Sequence, residues 1–329
     1  MKSCFLIFVM SNCIILSGGV RSFADLVIDG VTPQTNHRFE NDPNFLTSSS
    51  PNGPQILYTG MDFSGIGQDT NSRWATLISP NVAITAHHSP ATTTISFYPS
   101  NDATVSPVTR NITSSFRVPQ TDIRLLRLDS NVSSNIAHYS YASTFIDGTL
   151  ANPNIYAGDI GLMVGISAVT PSSFGSHRQA FGQNRIDGYQ ENIAFNGSDN
   201  DFLRLIDNPV ADTTSSGSPF GASYIDTPVE YEAQVRGGDS GAPFFTLAGS
   251  ELLLLGINSA RIDYFNDANG NRRFDSGETF YGEGSGPSYV GNTRSIIQTF
   301  IDVNAVPEPG STVFLSVLSL SILVRRRSR

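Results

Sequence analysis

From Ile56 onward the apolar residues fall into short runs separated by Gly, Pro, Asn, Asp and Ser, and nowhere before Asn292 do they keep a helical period for long. Runs of that length between turn formers are strands, and a chain built of them must bury its apolar side chains between sheets. An apolar fraction of 39% is ample for such a core. No internal repeat interrupts the pattern. The expected body is therefore all-β. Trp74-Ala75-Thr76-Leu77-Ile78 reads as one strand, Ser79-Pro80-Asn81 as a turn, and Val82-Ala83-Ile84-Thr85 as the returning strand. Residues 123–128 and 160–166 read as further strands, Phe244-Phe245-Thr246 and residues 252–257 as buried ones. Only at the end, over residues 292–303, do Ile296, Ile297, Phe300 and Ile301 take helical spacing, which predicts a single closing helix.

The two ends do not belong to that pattern. Residues 1–24 carry Lys2, an apolar run and a small-residue finish at Ser22-Phe23-Ala24, the arrangement of a secretory signal peptide cleaved after Ala24. Both cysteines, Cys4 and Cys13, lie inside it, so the exported body is expected to have no disulfide and no cysteine metal site. Residues 25–55 are polar, with Pro33, Pro43, Pro51 and Pro54, and read as a lead-in draped over the body. At the other end Val306-Pro307-Glu308-Pro309-Gly310 precedes an apolar run and then Arg325, Arg326, Arg327 and Arg329. The run is shorter than the roughly 20 residues that span a bilayer as a helix. This tail, residues 304–329, closely resembles the PEP-CTERM sorting signal of bacteria. The resemblance implies exosortase-type sorting machinery as a partner, transient membrane association, and delivery to the envelope or the exterior.

Those two ends hold six of the 20 basic residues and one of the 29 acidic ones, so the body between them has a net charge near −14 and no lysine. Such a surface repels nucleic acid and anionic membranes.

Three polar signals stand out against the strand pattern. Gly237-Gly238-Asp239-Ser240-Gly241-Ala242-Pro243 sets a serine between glycines. A hydrolytic serine needs a base within hydrogen-bond reach and amide donors for the oxyanion, and glycines on both sides let the backbone turn and come close to a substrate. The same residues also make an ordinary surface turn. Ala86-His87-His88 lies at the end of a strand, where alternation keeps two neighbouring histidines off one face, so at most one of them is a base. Asp122 stands directly before the strand that starts at Ile123, able to orient an imidazole or simply to be solvated. His138 and His177 have no motif around them.

Together these pieces resemble the chymotrypsin-like, or trypsin-type, serine proteases. The matching residues are Ile84-Thr85-Ala86-His87-His88, Asp122 before its strand, Gly238-Asp239-Ser240-Gly241, and Gly256-Ile257-Asn258-Ser259, in the family's order. The resemblance covers residues 56–303. It implies two antiparallel six-stranded β-barrels with the site in the cleft between them and a C-terminal helix. It implies His88 as general base, Asp122 as its orienting acid, Ser240 as nucleophile, and the amides of Gly238 and Ser240 as the oxyanion hole. Gln234 takes the place at the base of the substrate pocket, which disfavours a preference for Lys or Arg, and Ser259 matches the serine that ends the strand lining the substrate channel. The family needs no cofactor. Ala242 and Ser89 depart from its pattern, and no clear activation site precedes a family-like new N-terminus. Whether Asp239 meets an N-terminal amine is left open by the sequence.

The order of these residues excludes an α/β-hydrolase, because no histidine follows Ser240 and Ala242 breaks the Gly-x-Ser-x-Gly elbow. A protease-like binding protein without turnover, and an esterase on the same barrels, remain the alternatives. One further loop, residues 267–278, places oxygen side chains at Asp267, Asn269, Asn271, Asp275 and Glu278 with the spacing of a calcium loop. Arg272 takes the position where that loop turns on glycine, and an Asn/Gly-rich hairpin tip explains the composition equally well. The expectation is a structural Ca²⁺ there or a bare turn.

Overall fold

A computed structural model describes residues 5–8, 26–28, 38–39, 61–101, 105–149, 151, 154–167, 178–195, 198–206, 232–265 and 280–305. The strands in chain order are β1 (Phe5–Phe8), β2 (Val27–Ile28), β3 (Ile66–Gln68), β4 (Trp74–Ser79), β5 (Val82–Ala86), β6 (Thr94–Phe97), β7 (Val108–Arg117), β8 (Ile123–Leu128) and β9 (Ser140–Tyr141). They continue with β10 (Ile160–Gly165), β11 (Ala180–Arg185), β12 (Gly188–Phe195), β13 (Ser198–Ile206), β14 (Ala233–Gln234), β15 (Pro243–Ala248), β16 (Glu251–Phe265) and β17 (Phe280–Tyr289).

Six of them, β3-β4-β5-β8-β7-β6, close into an antiparallel barrel. The β4–β5 hairpin turns at Pro80-Asn81, as the run of apolar residues on either side requires. β3, β4 and β5 are buried on both faces, and the period of two along the barrel strands divides their apolar side chains between two cores. Ala75, Leu77, Ala83, Ile95, Phe97, Leu126 and Leu128 feed one cluster. Trp74, Ile78, Ile84, Ile123 and Leu125 feed a larger one, which runs on into Leu162, Val164, Phe244, Phe245 and Leu254 of the second half. One continuous apolar body therefore holds the barrel against the rest of the chain.

The second half is an antiparallel sheet in the order β11-β10-β15-β16-β17-β13-β12, with β9 pairing β16 in parallel. The all-β class and the closed six-stranded barrel are as expected. The second ladder differs from a six-stranded closed barrel, because among the described residues its end strands β11 and β12 are not paired to each other. A 3-10 turn, Gly291–Thr293, leads into α1 (Arg294–Asn304). Ile297 is buried in the large core, and Ile296, Phe300 and Ile301 pack against it. Asn81 from the β4–β5 turn donates its side-chain N–H to the Asn304 carbonyl at 2.7 Å, satisfying a group that a helix end leaves open. No helix among the described residues is long and apolar enough to cross a membrane.

Among the described residues, the lead-in is stitched to the body at two points. β2 pairs with β14, next to a bond from Leu26 N–H to the Ile166 carbonyl. Arg38 is buried and donates to Asn101 Oδ1, Gln179 Oε1 and the Tyr98 carbonyl, so one guanidinium joins the barrel to the segment before β11. Burial lowers its pKa to about 10, which still leaves it charged at neutral pH. The backbone of Phe5–Phe8, inside the expected signal peptide, pairs with residues 261–264 of β16. His177, the calcium-spaced residues Asp267, Asn269, Asn271, Asp275 and Glu278, and residues 306–329 of the tail lie outside the described residues.

Candidate active site

β5 ends at Ala86, and the chain bends there, so His87 and His88 leave the strand and separate. His87 turns to Arg124, accepting at Nδ1 from Arg124 Nε at 3.2 Å and Nη2 at 2.9 Å. Its pKa is lowered, by partial burial first and then by the Arg117 and Arg124 charges. His88 turns the other way. Its Nδ1 lies 2.6 Å from Asp122 Oδ2, and its backbone N–H donates to Asp122 Oδ1 at 2.9 Å. Both oxygens of the carboxylate are thus committed to one residue, and Asp122 is only 1% exposed. That geometry fixes the ring's rotation and favours Nδ1 as the protonated nitrogen.

The other ring nitrogen, Nε2, lies 2.8 Å from Ser240 Oγ. The structure therefore brings His88, Asp122 and Ser240 into one hydrogen-bonded row from positions 34 and 152 residues apart. The His88 side chain keeps 22% exposure, so the row opens to solvent at its histidine and serine end and is closed at its acid end.

The turn that holds Ser240 is braced on every side. Gly238 (φ +107) passes its carbonyl to Trp74 Nε1 at 3.0 Å. Gly241 N–H donates to the Asn258 carbonyl at 2.8 Å, and Asn258 N–H returns a bond to Ala242. Asp239 is fully buried, and its carboxylate accepts from Ile166 N–H at 2.6 Å and Arg236 N–H at 2.7 Å. Its place exists because residue 165 is glycine, where a Cβ would lie 2.6 Å from Asp239 Oδ1. Among the described residues the N–H groups of Asp239, Gly241 and Ala242 are taken by carbonyls, and those of Gly238 and Ser240 are not. Two uncommitted amides beside a serine hydroxyl are the donors that an oxyanion there would need.

The two residues expected to line the substrate pocket behave differently. Gln234 is buried in β14, and neither end of its side-chain amide has a partner among the described residues. Ser259 does not end a strand, since β16 runs on to Phe265 through the ladder with β17. Its hydroxyl donates to the Ile257 carbonyl at 3.0 Å or shares a proton with Ser288 Oγ at 2.8 Å.

Two residues at the site carry no motif in the sequence. Phe195 of β12 sets its ring at 90° to the His88 ring, centroids 5.4 Å apart. Asn200 of β13 accepts the Asp122 backbone N–H at its Oδ1. His138, in contrast, is exposed on the loop after β8.

No family model matches the chain, and no curated protein does. Solved structures do resemble it. One is the atomic-resolution structure of HBP, 18% identical with a TM-score of 0.43, covering 75% of this chain and 95% of that one. Another is a mutant of human heparin binding protein, 17% identical with a TM-score of 0.42, covering 75% and 94%.

Proposed function

We propose that the chain is an exported serine endopeptidase that cleaves peptide bonds through an acyl-enzyme. The observation that carries this reading is the row Asp122, His88, Ser240 at 2.6 Å and 2.8 Å. Ser240 Oγ attacks the carbonyl carbon while its proton passes to His88 Nε2, and the Asp122 carboxylate stabilises the imidazolium. The oxyanion is held by the amides of Gly238 and Ser240. Collapse breaks the C–N bond, and the proton on Nε2 goes to the leaving amine. A water molecule then gives a proton to Nε2 and attacks the acyl carbon, and as the acyl C–O bond breaks Nε2 returns that proton to Ser240 Oγ, releasing a carboxylic acid and free Ser240. Export rests on residues 1–24, and sorting by an exosortase-type system on residues 304–329.

The test is hydrolysis of fluorescein-labelled casein by the purified protein starting at residue 25. The reading expects cleavage that disappears in Ser240→Ala. Turnover of p-nitrophenyl butyrate with no cleavage of casein or of a peptide library would instead indicate an esterase. A folded protein inert to both would indicate a binding protein.

A further inference from the structure

Beside the His88 ring sits a small apolar cluster separate from the two large cores. It is made of Phe195, Phe202 and Ala260, with Ile193 packed on it. Phe195 and Phe202 meet at 79° with centroids 5.8 Å apart, so the ring against His88 is itself backed by a second ring. Both belong to the β12–β13 hairpin, which is tied to the sheet by β13 pairing with β17. Asn292, just before α1, adds bonds from its Nδ2 to Tyr189 OH and Asp201 Oδ2, each 2.8 Å.

Asn200 connects this hairpin to the acid of the row. It is fully buried. Its Oδ1 accepts from Asp122 N–H, and its Nδ2 donates to the Phe195 carbonyl at 3.1 Å. A single amide thus holds the backbone of the residue that orients His88 and the backbone of the residue whose ring abuts His88.

We infer that Asn200 is a positioning residue for the Asp122–His88 pair, acting with Phe195 to hold the imidazole in line with Ser240. The inference rests on the hydrolase reading. Asp122 sits where β7 turns into β8, and its carboxylate makes both of its bonds to His88 only if its own peptide is held. Asn200 supplies that hold from a strand 78 residues away. Without it the Asp122 N–H is buried without an acceptor, the turn shifts to find one, and the ring loses its alignment with Ser240 Oγ. Substrate binding elsewhere in the cleft is untouched, so the effect falls on the chemical step.

The experiment is inactivation by a fluorophosphonate probe, resolved into kinact and KI, on the protein starting at residue 25. Asn200→Leu keeps the shape but offers neither donor nor acceptor. It should lower kinact by roughly 10- to 100-fold, with KI within about twofold, as expected for lost alignment of reacting groups. Asn200→Asp retains an oxygen for Asp122 N–H but gives up the donor to the Phe195 carbonyl, and should recover at least about tenfold of the kinact lost in Asn200→Leu, the bond to Asp122 being the one that holds the acid. Should Asn200→Leu fail to fold by circular dichroism, Asn200→Ser, whose hydroxyl is too short to reach Asp122, takes its place against the same thresholds. Unchanged kinact in the Leu or Ser variant, a loss expressed in KI, or no recovery in Asn200→Asp overturns the inference. A parent that is not labelled at all overturns the hydrolase reading and this inference with it, whereas a labelled parent indifferent to residue 200 overturns the inference alone.

Discussion

Gly241 lies so close to Thr85 that a Cβ on it would sit 2.7 Å from Thr85 Oγ1 and 3.2 Å from the Ala86 nitrogen. The turn that carries Ser240 is thereby pressed directly onto β5, the strand that delivers His88. At φ +92 the backbone of residue 241 also favours glycine. Gly241→Ala should therefore lower stability by about 1–3 kcal/mol through backbone strain. Because the contact sets the spacing of Ser240 and His88, it should also slow fluorophosphonate labelling of Ser240 by about 10²-fold. Urea unfolding and labelling rate check the two effects, and a variant that labels at the parent rate contradicts the account.

Asp239 braces the same turn from below. Its two carboxylate oxygens face the N–H groups of Ile166 and Arg236. In Asp239→Asn one of these donors meets an NH₂ in place of an acceptor, at a cost of about 1–3 kcal/mol for the unpaired buried group. The amides of Gly238 and Ser240 lose their support with it. Labelling of Ser240 should fall by more than tenfold in a variant that still unfolds cooperatively, and full labelling would argue against the brace.

His87 should make the protein acid-sensitive. Its folded-state pKa is depressed below 6.5, mainly by partial burial and then by the Arg117 and Arg124 charges. The unfolded chain then binds more protons than the folded one as pH falls through that region, so stability is full above about pH 6.5 and is lost progressively below it. His87→Gln removes this proton uptake while leaving an oxygen for Arg124. Thermal unfolding of parent and variant between pH 7 and pH 5 should show the parent losing more stability than the variant. Parallel curves would contradict the assignment.

Arg38 ties the lead-in to both halves of the body through Tyr98, Asn101 and Gln179. Arg38→Met relieves a buried charge but strands three acceptors, and the net loss should be about 1–3 kcal/mol, since the acceptors outweigh the gain. Labelling of Ser240 in the folded variant should be unchanged. A drop in labelling at full stability would give Arg38 a different role.

The sequence is informative where neighbours along the chain decide the structure. β4, the Pro80-Asn81 turn and β5 follow from alternating apolar runs around a turn former, and α1 follows from the spacing of Ile296, Ile297, Phe300 and Ile301. His88 and Asp122 are legible as candidates because each lies beside a strand end, and Ser240 because glycines flank it. Asn200 and Phe195 are not. Both sit among Asn, Asp and Ser residues with no motif, and their meaning comes from contacts with Asp122 and His88 across the fold. Arg38 is hidden for the same reason, its partner Gln179 being 141 residues away. Ser259 lies inside β16 and not at its end, because the apolar run stops at Ile257 while the backbone ladder with β17 goes on, and ladder length is set by the partner strand as much as by local composition.

The most direct measurement of the central claim is the mass of the Ser240-containing peptide after treatment of the folded protein with a fluorophosphonate. The account predicts one phosphonyl adduct on Ser240, absent from Ser240→Ala and formed at least 10³-fold more slowly in His88→Ala, since a hydroxyl without its base is a poor nucleophile. A folded parent that carries no adduct, or an adduct that persists in Ser240→Ala, would contradict it.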